Sequence, residues 1–162
     1  MMAIEEHAFR EIMSGFPAGV TVVTATDSNG LPHGLTVTAF CSVSLKPPLV
    51  LVCLERGTTT LPAVRDSGGF TVNFLARGHD DISVRFADRE VDRFAGLDWE
   101  PPQHAFAGPV LTTVAIAAIE CRLDQMVEAG DHWVLVGEVV RGVQVGGEPL
   151  VHWQRRYLEL RT

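Results

Sequence analysis

Apolar residues at Ile4, Ala8, Phe9, Ile12, Met13 and Phe16 recur at steps of three and four, with Glu5, Glu6, Arg10 and Glu11 between them. That spacing predicts an amphipathic helix over Ala3 to Phe16, ended by Pro17 and Gly19. The pattern then changes period. Val20 to Thr26 is a β-branched run, Asp27-Ser28-Asn29-Gly30 a turn, and Pro32 to Thr38 resumes extended chain, which makes a first hairpin. After Pro47 and Pro48, Leu49 to Leu54 is a continuous apolar run of the kind that suits a strand buried on both faces. Thr58 to Ser67 predicts a short helix closed by Gly68-Gly69, Phe70 to Leu75 a strand, and Asp80 to Ala87 a helix with Ile82, Val84, Phe86 and Ala87 as its apolar positions. The polar, proline-bearing stretch from Asp88 to Pro109 reads as surface loop. Two long β-rich runs follow, Val110 to Met126 and His132 to Val145, on either side of a turn at Gly130. Leu150 to Trp153 and Tyr157 to Leu160 finish the chain. This density of strands, with a few short flanking helices and no repeat or linker, predicts a mostly β protein built on a closed or partly closed antiparallel barrel.

Composition narrows what such a barrel can do. The chain has 162 residues, enough for one domain over 1–162 with its own core. A net charge of −7 and a pI near 5.3, with scattered basic residues, argue against nucleic acid as a partner. No run of about 18 uncharged apolar residues occurs, so no membrane partner is expected. Met1 to Arg10 carries Glu5 and Glu6 and lacks the basic-then-apolar order of a signal peptide, which favours the cytoplasm. Cys41, Cys53 and Cys121 are an odd, widely spaced set in apolar runs, so buried free thiols are expected.

Several chemistries find no support. There is no G-x-G-x-x-G after a strand, no G-x-x-x-x-G-K-[ST] and no G-x-S-x-G, and the six histidines lack metal-ligand spacing. Three places can hold a flat or anionic ligand by local geometry. Gly34 to Ser44 concentrates small residues and hydroxyls where a strand leaves a hairpin, so it is either a plain Thr-rich strand or a wall along which backbone amides approach a ligand. Cys53-Leu54-Glu55-Arg56-Gly57-Thr58-Thr59-Thr60 leads into a helix start; its threonines are either simple caps or part of an anion site to which Arg56 adds charge. Ser83-Val84-Arg85-Phe86 is either a helix face or a hydroxyl and guanidinium offered to a phosphate. Gly130-Asp131-His132 is either an ordinary turn or a means of putting a titratable ring on a rim.

Taken in order along the chain, these blocks resemble the flavin reductase family, the short reductase components that supply reduced flavin to two-component monooxygenases. Phe16 to Thr24 is similar to the family's first strand. Gly34 to Val50 resembles its G-x-T-x-x-x-F-x-S-V-S-x-x-P-P-L block, Ser83 to Ala87 its S-x-R-F-A, Asp92 to Gly96 its D-K-F-A-G, and Gly130 to His132 its G-D-H. Pro149-Leu150-Val151 with Tyr157 resembles the closing P-L and Y. Two departures stand out: Ala39 where many relatives carry Ser, and Arg155-Arg156 before Tyr157, where a Gly is common.

The resemblance implies an FMN-binding split barrel that dimerises and passes a hydride from NADH, or NADPH, to FMN or FAD for a partner monooxygenase. It further implies that Thr36, Val37, Thr38 and Ala39 line the flavin ring. Cys53, Leu54, Glu55, Arg56, Gly57, Thr58 and Thr59, with Ser83, Arg85 and Phe86, would then hold the ribityl phosphate. His132 and Tyr157 would take the nicotinamide side, His132 as the one residue with a catalytic role. The alternative within the same barrel type is a protein that keeps its flavin tightly, an oxidase or a storage module without reductase turnover.

Overall fold

The computed structural model describes residues 3–160. Helix α1 (Glu6–Ser14) leads into β1 (Ala18–Gly19) and the hairpin β2 (Thr21–Thr26)–β3 (Pro32–Val37). Asp27 builds the hairpin turn: its Oδ1 accepts the amides of Asn29 and Leu31, each at 2.9 Å. Then come β4 (Phe40–Leu45), β5 (Pro48–Glu55), α2 (Thr60–Ser67), β6 (Gly69–Leu75) and α3 (Asp80–Ala87). Gly68 ends α2 at φ +77°, a left-handed position that glycine takes without a Cβ penalty. A long connection reaches β7 (Ala115–Ala129), which pairs with β8 (His132–Gln144); β9 (Val151–Trp153) and β10 (Arg156–Leu158) end the described chain.

All strand pairs are antiparallel, in a seven-stranded sheet of order β3-β2-β6-β7-β8-β5-β4 and a small sheet β1-β9-β10. The large sheet curls until its two edge strands, β3 and β4, are joined by only Thr38 and Ala39. The main-chain bond from Cys53 N to Ala39 O (3.1 Å) tacks that joint to β5. The sheet is therefore a split barrel, with a seam between β3 and β4 where no ladder runs. Its interior is filled by Val23, Val52, Leu54, Phe70, Val72 and Leu135, all fully buried, with Leu61 and Val64 of α2 plugging one end. A second cluster outside the sheet packs Ile82 and Phe86 of α3 and Leu111 onto Val22 and Leu75.

Most predicted elements stand within a residue or two, and four readings need correction. Residues 110–114 are not strand: Val110 makes an isolated bridge to Glu100 and a turn at 112–114 precedes β7, which runs on to Ala129. Strand β5 is buried on one face only, since Val50, Val52 and Leu54 point inward while Leu49, Leu51 and Cys53 stay half-exposed. Only Cys121 is a buried thiol, its pKa pushed up to about 12 by desolvation and then by Glu120. Cys53 is half-buried, and Cys41 is exposed because it lies on the outer face of edge strand β4. Finally, α1 forms with the expected amphipathic face, yet none of its residues is buried. Among the described residues no helix is long and apolar enough to cross a membrane.

Candidate active site

Thr36, Ser83 and Tyr157 come from β3, α3 and β10, and the fold links them in series. The Thr36 hydroxyl donates to Ser83 O at 2.7 Å, and the Tyr157 hydroxyl and Ser83 Oγ are 2.9 Å apart. Tyr157 is oriented from its other side by His152, whose ring meets it edge-on at 5.4 Å. Phe86 lies beneath Gly34: a Cβ on that glycine would stand 2.9 Å from the Phe86 ring, so only glycine lets β3 sit this close to α3. These contacts fix the floor of a cleft of about 370 Å³ between β3, the β5–α2 turn, the end of α3 and residues 89–94. Thr36, Glu55, Gly57, Thr58, Thr59 and Phe86 all line it, so six of the predicted ligand contacts converge.

The turn itself is held from below. Arg56 N donates to Asp131 O (3.1 Å), and Thr58 Oγ1 donates to Glu55 O (3.1 Å). Thr59 occupies the N-cap of α2 without a side-chain cap, leaving its hydroxyl uncommitted to the helix. Thr60, first in the helix, is fully buried, and its hydroxyl has no partner. His132 is paired in register with Glu55, which sets the Gly130-Asp131-His132 turn directly beside this segment. Its Nδ1 lies 2.7 Å from Asp131 Oδ1, and that hydrogen bond is the main cause holding the Asp131 carboxyl below its ordinary range.

Other predicted residues fall elsewhere. Val37 and Leu54 bury their side chains in the core, because strand alternation turns them inward. Thr38 and Ala39 are exposed at the seam, and Cys53 is half-exposed behind it. Arg56 is committed to an exposed ion pair with Glu128. Arg85 turns away from the cleft, into a shallow groove with Asp80, Asp81 and Asp88. Among the described residues no hydrogen bond or ring contact joins His132 to Tyr157; they flank different parts of the chain. Arg155, one of the two departures, reaches Glu11 of α1 at 3.4 Å.

Sequence reasoning missed two cleft residues, Arg89 and Arg93. Arg89 pairs with Glu55. Arg93 lies inside the Asp92 to Gly96 block, the one signal that pointed at it. A second, apolar pocket of about 320 Å³ opens at the other end of the seam, between Phe16, Thr38, Phe40, Phe74 and Leu150. Thr36 lines the polar cleft and Thr38, two residues on, the apolar pocket, an arrangement suited to a ligand with a phosphate at one end and a flat ring at the other.

Comparison with known proteins decides which ligand class that is. Residues 13–161 match the flavin reductase like domain. The chain belongs to the flavin reductase family. It is 42% identical over 157 residues to a flavin reductase (NADH) of Kitasatospora aureofaciens, covering 95% of this chain and 81% of that protein. It is 36% identical over 156 residues to the reductase subunit HsaB of a flavin-dependent monooxygenase of Rhodococcus jostii, covering 96% and 78%. The solved structure of the Streptomyces globisporus NADH:FAD oxidoreductase SgcE6, in complex with NAD and FAD fragments, superposes with a TM-score of 0.88 at 31% identity, over 99% of this chain and 98% of that one. This family's split barrel is the fold described above.

Proposed function

We infer that this chain is a nicotinamide-dependent flavin reductase, one cytoplasmic domain that takes a hydride from NADH to FMN or FAD and hands reduced flavin to a monooxygenase. The observation that carries this reading is convergence: six residues named from separate sequence blocks line one cleft, and Ser83 ties Thr36 of that cleft, through its carbonyl, and Tyr157, through its hydroxyl, to α3. The cofactors supply the hydride chemistry themselves. The chain's part is to orient and shield. In this reading the backbone at Thr38 and Ala39 runs along the flavin ring, while Thr58, Thr59 and Gly57 receive the first phosphate with their hydroxyls and amides. His132, on the rim beside Glu55, positions the dinucleotide.

A homodimer completes the proposal. The outward residues of β5 and β8, Leu49, Leu51, Cys53, Val134 and Val136, form an apolar sheet face that the described chain leaves half-exposed, and Val127 and Val43 extend it. A face of this kind is suited to a second copy of the chain, because a two-fold axis lets one apolar patch cover its own equivalent.

The test is steady-state oxidation of NADH and of NADPH by flavin-stripped protein, with FMN, FAD and riboflavin added in turn. Turnover that depends on added flavin is expected. Protein that keeps a yellow flavin through purification and leaves NADH untouched would replace this reading with the tight-binding alternative. His132→Ala should raise the KM for NADH by about tenfold, the worth of one charge-assisted contact, with the flavin KM unchanged. An unaltered NADH KM would remove His132 from the site.

A further inference from the structure

The closing hairpin β9–β10 bears on the cleft without lining it. Tyr157 places its hydroxyl 2.9 Å from Ser83 Oγ, and Ser83 is only 3% exposed, so this bond is enclosed between β10 and α3. Helix α3 gives Phe86 and Ala87 to the cleft wall, whereas Ser83 and Tyr157 stand outside that wall. From the Ser83 carbonyl the link runs on to Thr36, which does line the cleft. The Tyr157 ring is set in turn by His152, directly opposite it in β9. The hairpin that carries both rings turns through Gln154 (φ 46°) and Arg155 (φ 61°), two left-handed positions that Asn-Gly takes easily and that longer side chains resist. Three contacts from the end of α1 hold the turn. Ser14 O accepts the Gln154 amide at 2.8 Å, Gly15 O accepts Trp153 Nε1 at 2.9 Å, and Arg155 reaches Glu11 at 3.4 Å. Helix α1 buries none of its own residues, so what it contributes to the described chain lies at this turn.

We propose that Tyr157 is a positioning residue for the phosphate end of the cleft: the α1 clamp on the β9–β10 turn holds it, and it fixes α3 through Ser83. The inference rests on the flavin reductase reading, and it moves Tyr157 from the nicotinamide side of the reaction to the flavin side. Whichever of the two hydroxyls donates, their bond commits the tip of Tyr157 to α3 and leaves it no proton for a nicotinamide amide. With α3 held, Phe86 and Ala87 keep their places across the cleft from Thr58 and Thr59, where the first flavin phosphate is received. Loosening α3 therefore weakens the grip on the phosphate and spares the grip on the ring.

Flavin-stripped wild type, Tyr157→Phe, Ser83→Ala and the double variant should be titrated by fluorescence with riboflavin and with FMN, and assayed for the KM of NADH. Tyr157→Phe should bind FMN about fivefold more weakly, the loss of one hydrogen bond, with riboflavin affinity and NADH KM within about twofold of wild type. Ser83→Ala and the double variant should show that same single loss, because all three break one bond. A rise in NADH KM with FMN affinity unchanged would return Tyr157 to the nicotinamide and overturn the proposal. So would losses that add in the double variant, equal losses for riboflavin and FMN, or no change in any of them. Trp153→Phe removes the donor to Gly15 and keeps a ring, so it tests the clamp. FMN binding about twofold weaker is expected, and adding Arg155→Gly should restore it, since glycine takes the left-handed position unaided. Unchanged FMN affinity in Trp153→Phe removes α1 from the arrangement. Should Tyr157→Phe fail to fold, Ser83→Ala reads the same bond from its other side. Failure of wild type to bind any flavin would sink the reductase reading itself, a result distinct from flavin binding that ignores these substitutions.

Discussion

The outer face of the large sheet is built in two opposite ways. Over β2, β6 and the start of β7 it carries polar residues, Thr24, Thr71, Asn73 and Glu120, and all four are buried. Over β5, β8 and the end of β7 it carries Leu49, Leu51, Val134, Val136 and Val127, and none of these is buried. The difference lies in what covers each region. The first is roofed by residues 103–111 of the same chain, and its polar groups are the tethers. Thr24 Oγ1 donates to Pro109 O (2.7 Å), Thr71 Oγ1 to Gly108 O (2.7 Å), and the Leu111 amide donates to Asn73 Oδ1 (2.8 Å). A roof of irregular chain has backbone groups that must be hydrogen-bonded once buried, so polar residues beneath it stabilise. The second region has no such roof. Its apolar side chains suit a flat, self-complementary cover and would be wasted under a polar loop.

The largest effect should come from prising off the roof. Gly108 is buried, and a Cβ there would lie 2.2 Å from the Thr24 carbonyl carbon and 2.3 Å from the Ala25 amide nitrogen, backbone atoms that cannot yield. Gly108→Val should therefore destabilise by about 4 kcal/mol or more, or abolish soluble expression; thermal melting would show a fall of about 10 °C. A near-wild-type melting temperature would mean that the roof is not integral to the fold.

A charge on the open region should act on assembly and spare the fold. Leu51→Arg places a guanidinium on this half-exposed apolar face, between Cys41 and Val136 of the neighbouring strands. Self-association should weaken by about 2–4 kcal/mol, the scale of an interface hot spot. Light scattering coupled to size exclusion would then report monomer at concentrations where the proposed wild-type dimer forms, with far-UV circular dichroism unchanged. Val84→Arg, on a more exposed apolar residue of α3 away from this face, is the control and should leave the oligomeric state alone. If Leu51→Arg stays dimeric, the second copy sits elsewhere, and the uncovered face of α1 becomes the next place to look.

This contrast also marks how far the sequence could be read. The β2–β3 hairpin and α3 were legible to the residue or nearly so, because a β-branched run before Asp27-Ser28-Asn29-Gly30 and a helical period after Asp80 are local signals. The Leu49 to Leu54 run correctly marked a strand with two apolar faces. Hydropathy cannot tell cover by the same chain from cover by another, so burial on both faces was wrongly expected. In the site, Thr36, Ser83 and Tyr157 are separated by 47 and 74 residues, and no periodicity could have joined them; the resemblance to flavin reductases named each of them, but in three separate roles. Arg89 gave no signal because it sits in a stretch that reads only as loop, and Arg93 was marked only by the Asp92 to Gly96 block, which assigned it no role. Arg85 lines a different groove from Phe86, because a helix turn decides which of two grooves a side chain enters, and the S-x-R-F-A spacing does not say which.

The smallest effect concerns the carboxylate that pins the roof from below. Glu120 is only 1% exposed, in contact with Arg141 Nη1 (3.0 Å) and His104 Nδ1 (2.8 Å), and it accepts the amides of Gln103 and His104 at 3.0 Å each. Burial on its own would raise its pKa. The two amides and the His104 and Arg141 side chains outweigh that and hold it below the ordinary glutamate value. A carboxyl whose folded pKa lies below its unfolded one contributes stability that is fully present above the unfolded value, about 4.3, and is lost as pH falls through the folded value. Wild type should therefore lose stability as the medium is acidified below about pH 4.5, in denaturant melts taken at half-unit steps. Glu120→Gln should be less stable at pH 7 by about 1–2 kcal/mol, because Arg141 loses its counter-charge but keeps partial access to solvent. The variant's acid limb should be shallower by the contribution of one group. Parallel acid limbs in the two proteins would show that Glu120 is ordinary in its titration, and that the tethers from Thr24, Thr71 and Asn73 hold the roof without it.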